Sequence, residues 1–356
     1  MRPWLAALQQ ADAAEARGDA AGALRVITAR FAGPDGAPFW RPERVRRLRQ
    51  LTRFGPLLPR WATSRWIQAQ ALTWLDASSK RRAHRALETA VATRGGPGTL
   101  RGVDEADATC RVMDRDWVYR QVYLYELGGL AHFVARVAGP DLLAGADRIQ
   151  GWTRAPLGGL RLLSEGERTI VWERLDGGEP VETANLGAAL LLTPGECVLG
   201  RLVPTDDGPL FETAPLRVPE TVAAGVAEDP ASWLDALGHA CRAPDALPGA
   251  LTVVGEAALL TDVPQPVWDA WSLPGEPAAL VRSVLAGALT DGEVAGTLPW
   301  LSAAFLEPGT VEELTRSCRQ EEAAGVRCLA GRLAGPAGEV ARLVAEALEG
   351  TGKDVA

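Results

Sequence analysis

Thr169-Ile170-Val171-Trp172 is a β-branched and aromatic run, and Asp176-Gly177-Gly178 follows it with the residues a tight hairpin turn requires. A second run includes Val181 and Thr183. Thr193-Pro194-Gly195 turns the chain again before Cys197-Val198-Leu199-Gly200-Arg201-Leu202-Val203, and Thr205-Asp206-Asp207-Gly208 turns it a third time ahead of Leu210-Phe211. Strand-sized runs separated by turn chemistry at short intervals predict an antiparallel β meander or small barrel over residues 151–218.

On either side the pattern is helical. Upstream, Trp4, Leu5 and Leu8 begin a helix that Gly18-Asp19 ends, and Ala20, Leu24, Ile27 and Phe31 repeat at helical spacing. That opening resembles one hairpin of a tetratricopeptide repeat. No second copy follows at the spacing of about 34 residues such arrays need, so a lone hairpin is expected. Pro38 to Pro42 break the chain before a basic helix through Glu43–Leu51, which Gly55-Pro56 ends. Trp61–Leu75 and Lys80–Thr93 read as two more helices. After Asp114 or Asp116 comes the longest apolar stretch, from Trp117 to Val134, apolar on several faces and expected to be buried, with a kink or close packing at Gly128-Gly129.

Downstream, Asp229-Pro230 opens a helix through Leu237 and Cys241, and Leu251–Leu260 reads equally as hairpin or helix. Pro266, Pro299 and Pro336 have the look of first-turn prolines, Thr310-Val311-Glu312-Glu313 of a capping box, and Val340, Leu343, Val344 and Leu348 form a last apolar stripe. The expected fold is therefore mainly α with a small antiparallel β module, in the α+β class. It divides into a helical basic domain (1–150), the β module (151–218) and a helical acidic C-terminal part (219–356).

Composition narrows the class. At 356 residues, two or three domains are expected, and 47 % hydrophobic content rules out global disorder. No apolar run approaches the roughly 18 residues a membrane span needs, and the opening residues are too polar for a signal-peptide core. A cytoplasmic location without a membrane partner is expected. Cys110, Cys197, Cys241, Cys318 and Cys328 are odd in number and widely spaced, which suits reduced thiols better than a disulfide framework. Only Lys80 and Lys353 are lysines, and an Arg-, Ala-, Gly- and Pro-rich chain suggests a GC-rich bacterial genome. Residues 1–150 carry 23 basic against 15 acidic side chains, a charge of +8, whereas residues 151–356 carry 14 against 30, a charge of −16. A positive front and a negative back can attract each other, attract different partners, or carry little meaning.

The usual signatures of chemistry are missing. There is no phosphate loop, dinucleotide glycine pattern, nucleophile elbow, His-Glu-x-x-His helix or Cys-x-x-Cys pair, so no catalytic residue, metal ligand or cofactor is assigned. Of the three histidines, His84 reads as solvated, and His132 beside Phe133 reads as core or interface. His239 and Cys241 lie two apart, so on a helix they point to different sides.

The basic helix is the distinctive feature. Arg44, Arg46, Arg47, Arg49 and Arg53 follow one another with Trp40 and Trp61 at the flanks, and Lys80, Arg81, Arg82 and Arg85 form a second cluster. Guanidinium forks grip phosphates and indoles stack on unpaired bases, so this set forms the candidate nucleic-acid site over residues 41–85. The bland alternative is an amphipathic helix built on Val45, Leu48 and Leu51, its arginines solvated or docked on the acidic back half.

The segment Glu173-Arg174 and Leu192-Thr193-Pro194-Gly195-Glu196-Cys197-Val198-Leu199-Gly200-Arg201-Leu202-Val203-Pro204 resembles the β module of uncharacterised bacterial proteins of the SEC-C-associated kind. The resemblance covers residues 160–218 and implies helices before the module. The zinc-binding Cys-rich tail of that group is absent, so it implies no metal. The leading expectation is a non-catalytic intracellular interaction or regulatory protein that binds a protein partner. The alternatives are a nucleic-acid-binding protein, or an enzyme whose site is assembled across domains.

Overall fold

A computed structural model describes residues 3–29, 41–74, 76–96, 105–242, 259–263 and 276–350. Phe31, Trp40, Pro266 and most of the Leu251–Leu260 stretch lie outside the described residues. The chain is mainly helical with a small antiparallel sheet, as the alternation of periods predicts. Among the described residues no helix is long and apolar enough to cross a membrane.

Helix α1 (Pro3–Ala16) and α2 (Ala20–Thr28) form the hairpin, with the Asp19 carboxylate capping α2 at the Gly22 amide over 2.7 Å. The basic helix is α3 (Pro42–Phe54). It leads into α4 (Arg60–Thr73), buried almost all round, with Trp61, Trp66 and Ile67 in the core. Asp76 and Ser79 cap α5 (Ala77–Thr93) reciprocally. Helix α6 (Glu105–Arg115) ends just before Asp116, which caps α7 (Trp117–Gln121) at the Tyr119 amide.

The long apolar stretch is not one helix. A π turn over Val122–Glu126 follows α7, Gly128 takes a left-handed φ of 66°, and only then does α8 (Gly129–Arg136) begin. The Gly pair thus breaks the helix where a kink was expected, because a glycine adopts that φ without a Cβ clash. Arg82 of α5 donates to the carbonyl of Leu127 over 3.0 Å and satisfies the interrupted backbone. Two short helices, α9 (Pro140–Gly145) and α10 (Ile149–Trp152), carry the chain to the sheet.

Five strands form one open antiparallel sheet in the order β3-β2-β1-β4-β7: β1 (Gly158–Glu165), β2 (Thr169–Arg174), β3 (Val181–Ala184), β4 (Cys197–Gly200) and β7 (Leu216–Val218). A separate ribbon pairs β5 (Leu202–Val203) with β6 (Leu210–Phe211). The Cys197–Val203 run is therefore two strands in different sheets, divided at Arg201. The central strand β1 and the edge strand β7 carried no sequence signal. Gly158-Gly159 blurs the alternation of β1, and β7 is three residues long. Trp172 of β2 stacks edge-on against Phe211 of β6 with ring centroids 5.1 Å apart, so the ribbon closes one face of the sheet. Helix α11 (Glu220–Glu228) closes the other, and Gly159 permits it. A Cβ at Gly159 would lie 1.9 Å from the Ala223 carbonyl oxygen.

After α12 (Trp233–Cys241) the described C-terminal helices are α13 (Glu276–Leu285), α14 (Asp291–Phe305), α15 (Pro308–Ser317), α16 (Ala323–Arg332) and α17 (Pro336–Gly350). Pro336 does open its helix. Pro299 does not: the Thr290–Glu293 capping box starts α14 earlier and leaves Pro299 inside it. Thr310 likewise is a buried residue within α15, which starts at Pro308. One continuous apolar cluster runs from Ala11 to Leu348, taking in front helices, one face of the sheet and the C-terminal helices.

Candidate functional site

The basic helix α3 buries Leu48 and Phe54 and so rotates part of its arginine run toward the protein. Arg44 turns inward, donating from Nε to Glu15 over 2.6 Å and from Nη2 to Asp12 over 2.7 Å. Glu15 also accepts from the indole of Trp66 over 2.8 Å. Burial pushes the Asp12 carboxyl up, with Arg44 pulling it back. Arg46 lies 3.6 Å from Glu307 at the start of α15, and beside it Gln50 donates to the Leu306 carbonyl over 2.9 Å. Burial raises the Glu307 carboxyl as well, against the pull of Arg46 and Arg49. Arg47 is half-buried and engaged, and Arg49 and Arg53 are exposed. Trp61 is 4 % exposed and lies 5.0 Å beneath the Arg65 guanidinium. Trp40 lies outside the described residues. The described members of the candidate nucleic-acid set therefore do not share one exposed face.

Among the described residues is a buried gathering of ionisable groups that leaves no sign in the linear sequence. Arg65 of α4, Arg120 and Gln121 of α7, Arg201 and Glu212 at the β5–β6 ribbon, and Asp262 converge in the interior. Glu212 accepts from Gln121 over 2.6 Å, from Gln68 over 3.0 Å and from Arg120 over 3.1 Å. Arg201 donates to Gln121 over 2.8 Å, to the Ala155 carbonyl over 2.6 Å and to Glu126 over 2.9 Å, and its guanidinium covers the Tyr125 ring at 4.2 Å. Arg65 pairs with Asp262 and donates to the carbonyls of Thr261 and Phe211. Burial pushes the Asp262 carboxyl up while Arg65 opposes it. Three buried guanidiniums thus face two buried carboxylates and the part-exposed Glu126. The network pins the ribbon to α4 and α7.

Comparison with protein-family models, curated proteins and solved structures finds no match.

Among the described residues no group of three or more His, Cys, Asp or Glu side chains is placed to hold a metal ion. His239 is exposed on α12 and Cys241 is buried, so the helix does separate them. His84 is exposed beside Glu88, and His132 faces Asp76 over 3.4 Å.

What remains outward is charge. On α5, Lys80, Arg81 and Arg85 are exposed along one side of the helix. On the hairpin, Arg17 and Arg25 are exposed and flank a groove of about 490 Å³ between α1 and α2. None of these five cations, nor Arg53, makes an ion pair with a described residue. Elsewhere the exposed Arg174, Arg327 and Arg342 and the half-buried Arg161, Arg282 and Arg332 each face a carboxylate, whereas Arg168 and Arg316 are exposed without an ion pair among the described residues.

Proposed function

We propose that this chain is a non-catalytic interaction protein whose front helices bind an acidic protein partner. The observation that carries the proposal is the set of exposed cations without an ion pair among the described residues (Arg17, Arg25, Arg53, Lys80, Arg81 and Arg85) on a molecule of net charge −8. Complementary charge of this kind steers association and selects partners. A protein is favoured over nucleic acid because Trp61 and Trp66 are enclosed in the core with no face to offer a base, and the half-buried Trp74 packs edge-on against Phe133.

The test is affinity capture from a nuclease-treated lysate of the source cell, with wild type and an Arg53→Glu/Arg81→Glu/Arg85→Glu variant in parallel. A polypeptide held in stoichiometric amount by wild type and released by the variant is the expected result. Equal retention by both forms, or no polypeptide at all, would overturn the proposal.

The second reading, nucleic-acid binding, is favoured by the exposure of Arg49 and Arg53 on α3 and of Lys80, Arg81 and Arg85 on α5. It predicts that log affinity for single-stranded DNA falls linearly with log salt, and that the same variant flattens the slope.

A further inference from the structure

Helices α1 and α2 leave a groove floored by Ala7, Ala14, Gly22 and Val26, with Gln10, Arg17 and Arg25 on its rim. Small floor residues keep the groove open, and both rim guanidiniums are exposed without an ion pair among the described residues. The single carboxylate on the lining, Asp19, is turned back onto the Gly22 amide as the helix cap. The other carboxylates of α1, Asp12 and Glu15, are held by Arg44 on the opposite side of the hairpin. The groove is thus apolar at its base and positive at its edges, inside a molecule that is negative overall.

We infer that this groove receives a short, extended acidic segment of the partner protein, its small residues against the floor and two carboxylates on Arg17 and Arg25. The inference rests on the protein-partner reading and names the place and chemistry of contact. Dimensions support it. From Ala7 to Arg17 the groove runs about 15 Å at 1.5 Å per residue, the length of about four or five extended residues. Arg25 lies about 8 Å further from the turn than Arg17, which matches acidic side chains two or three positions apart on an extended strand. Guanidinium–carboxylate pairs supply orientation there, and Gln10 offers an amide between them.

The test uses the full chain and a fluorescein-labelled peptide with two glutamates three positions apart in an alanine–glycine background, read by anisotropy at about 0.15 M salt. Its glutamine counterpart is the control. Binding of the glutamate peptide alone is expected, weakened at least tenfold by Arg17→Ala/Arg25→Ala and unchanged by Arg168→Glu/Arg316→Glu, exposed arginines outside the partner-binding set. Both pairs are exposed, and circular dichroism confirms that each variant is folded. Equal weakening by the two variants, or equal binding of the two peptides, would overturn the groove as the site. So would a captured partner that survives Arg17→Ala/Arg25→Ala and is lost with Arg81→Glu/Arg85→Glu, an outcome that leaves the partner reading intact. Capture of no partner by either form, with the peptide still bound in the groove, would overturn the partner reading alone.

Discussion

Arg44 and Glu15 are joined over 2.6 Å between the basic helix and the first helix of the chain, and this pair turns the opening arginine of the run inward. The Trp66 indole bonds the second oxygen of the same carboxylate, so three helices meet at one side chain.

Removing Arg44 leaves Glu15 and Asp12 close together without their cation. Arg44→Ala is expected to destabilise the fold by about 3 kcal/mol, the scale for breaking one partner of a buried pair. Urea denaturation measures it. A loss below about 1 kcal/mol would mean that solvent reaches the carboxylates.

Glu212 is the acceptor on which Gln68, Arg120 and Gln121 converge, and it is 1 % exposed. Glu212→Gln keeps the shape but removes the charge facing Arg120. A loss of about 3 kcal/mol is expected, with the midpoint shifted at unchanged m-value. A neutral result would show that Arg120 is compensated elsewhere.

Gly159 faces the backbone of α11 directly, with no room for a methyl group. Gly159→Ala is expected to cost more than about 2 kcal/mol by forcing the helix off the sheet. Gly177→Ala, in open space on the hairpin turn at a φ of 79°, should cost only about 1 kcal/mol from backbone strain. Thermal melts of the two variants should therefore separate clearly, and equal melts would contradict the close approach.

Burial raises the Glu307 carboxyl above its ordinary range, and Arg46 and Arg49 oppose the rise. A raised carboxyl binds its proton more tightly in the folded state. Its contribution is fully present below the unfolded-state value and is lost as pH rises through the folded-state value. Glu307→Gln should thus be more stable than wild type at neutral pH, the gap closing as pH falls toward 4. A gap that widens on acidification would mean that the ion pair dominates.

The thiols should divide by exposure. Cys110 and Cys328 are exposed, whereas Cys197 and Cys241 are buried with their thiols pushed up by that burial. Titration of the native protein with an aromatic disulfide at pH 8 should show Cys110 and Cys328 reacting fast and the buried pair reacting only on unfolding. Fast reaction of Cys197 would show that the sheet opens locally.

Periodicity and turn chemistry, both local, determined the elements with strong patterns. The α1–α2 hairpin, the basic helix, the β2–β3 hairpin with its Asp176-Gly177-Gly178 turn, and the mainly α class with an antiparallel module were all legible in the sequence. So was the separation of His239 from Cys241, which follows from helix geometry alone. Tertiary structure decided the rest. Arg44 and Arg53 carry the same charge on the same helix, and only packing makes one a core ligand of Glu15 and leaves the other in water. Glu212 beside Phe211 gives no linear sign that it gathers Gln68, Arg120 and Gln121 from distant helices. The groove of Arg17 and Arg25 exists because Ala7, Ala14 and Gly22 are brought face to face by the hairpin. Burial and charge pairing depend on residues far apart in the chain, and a one-dimensional pattern carries no term for them.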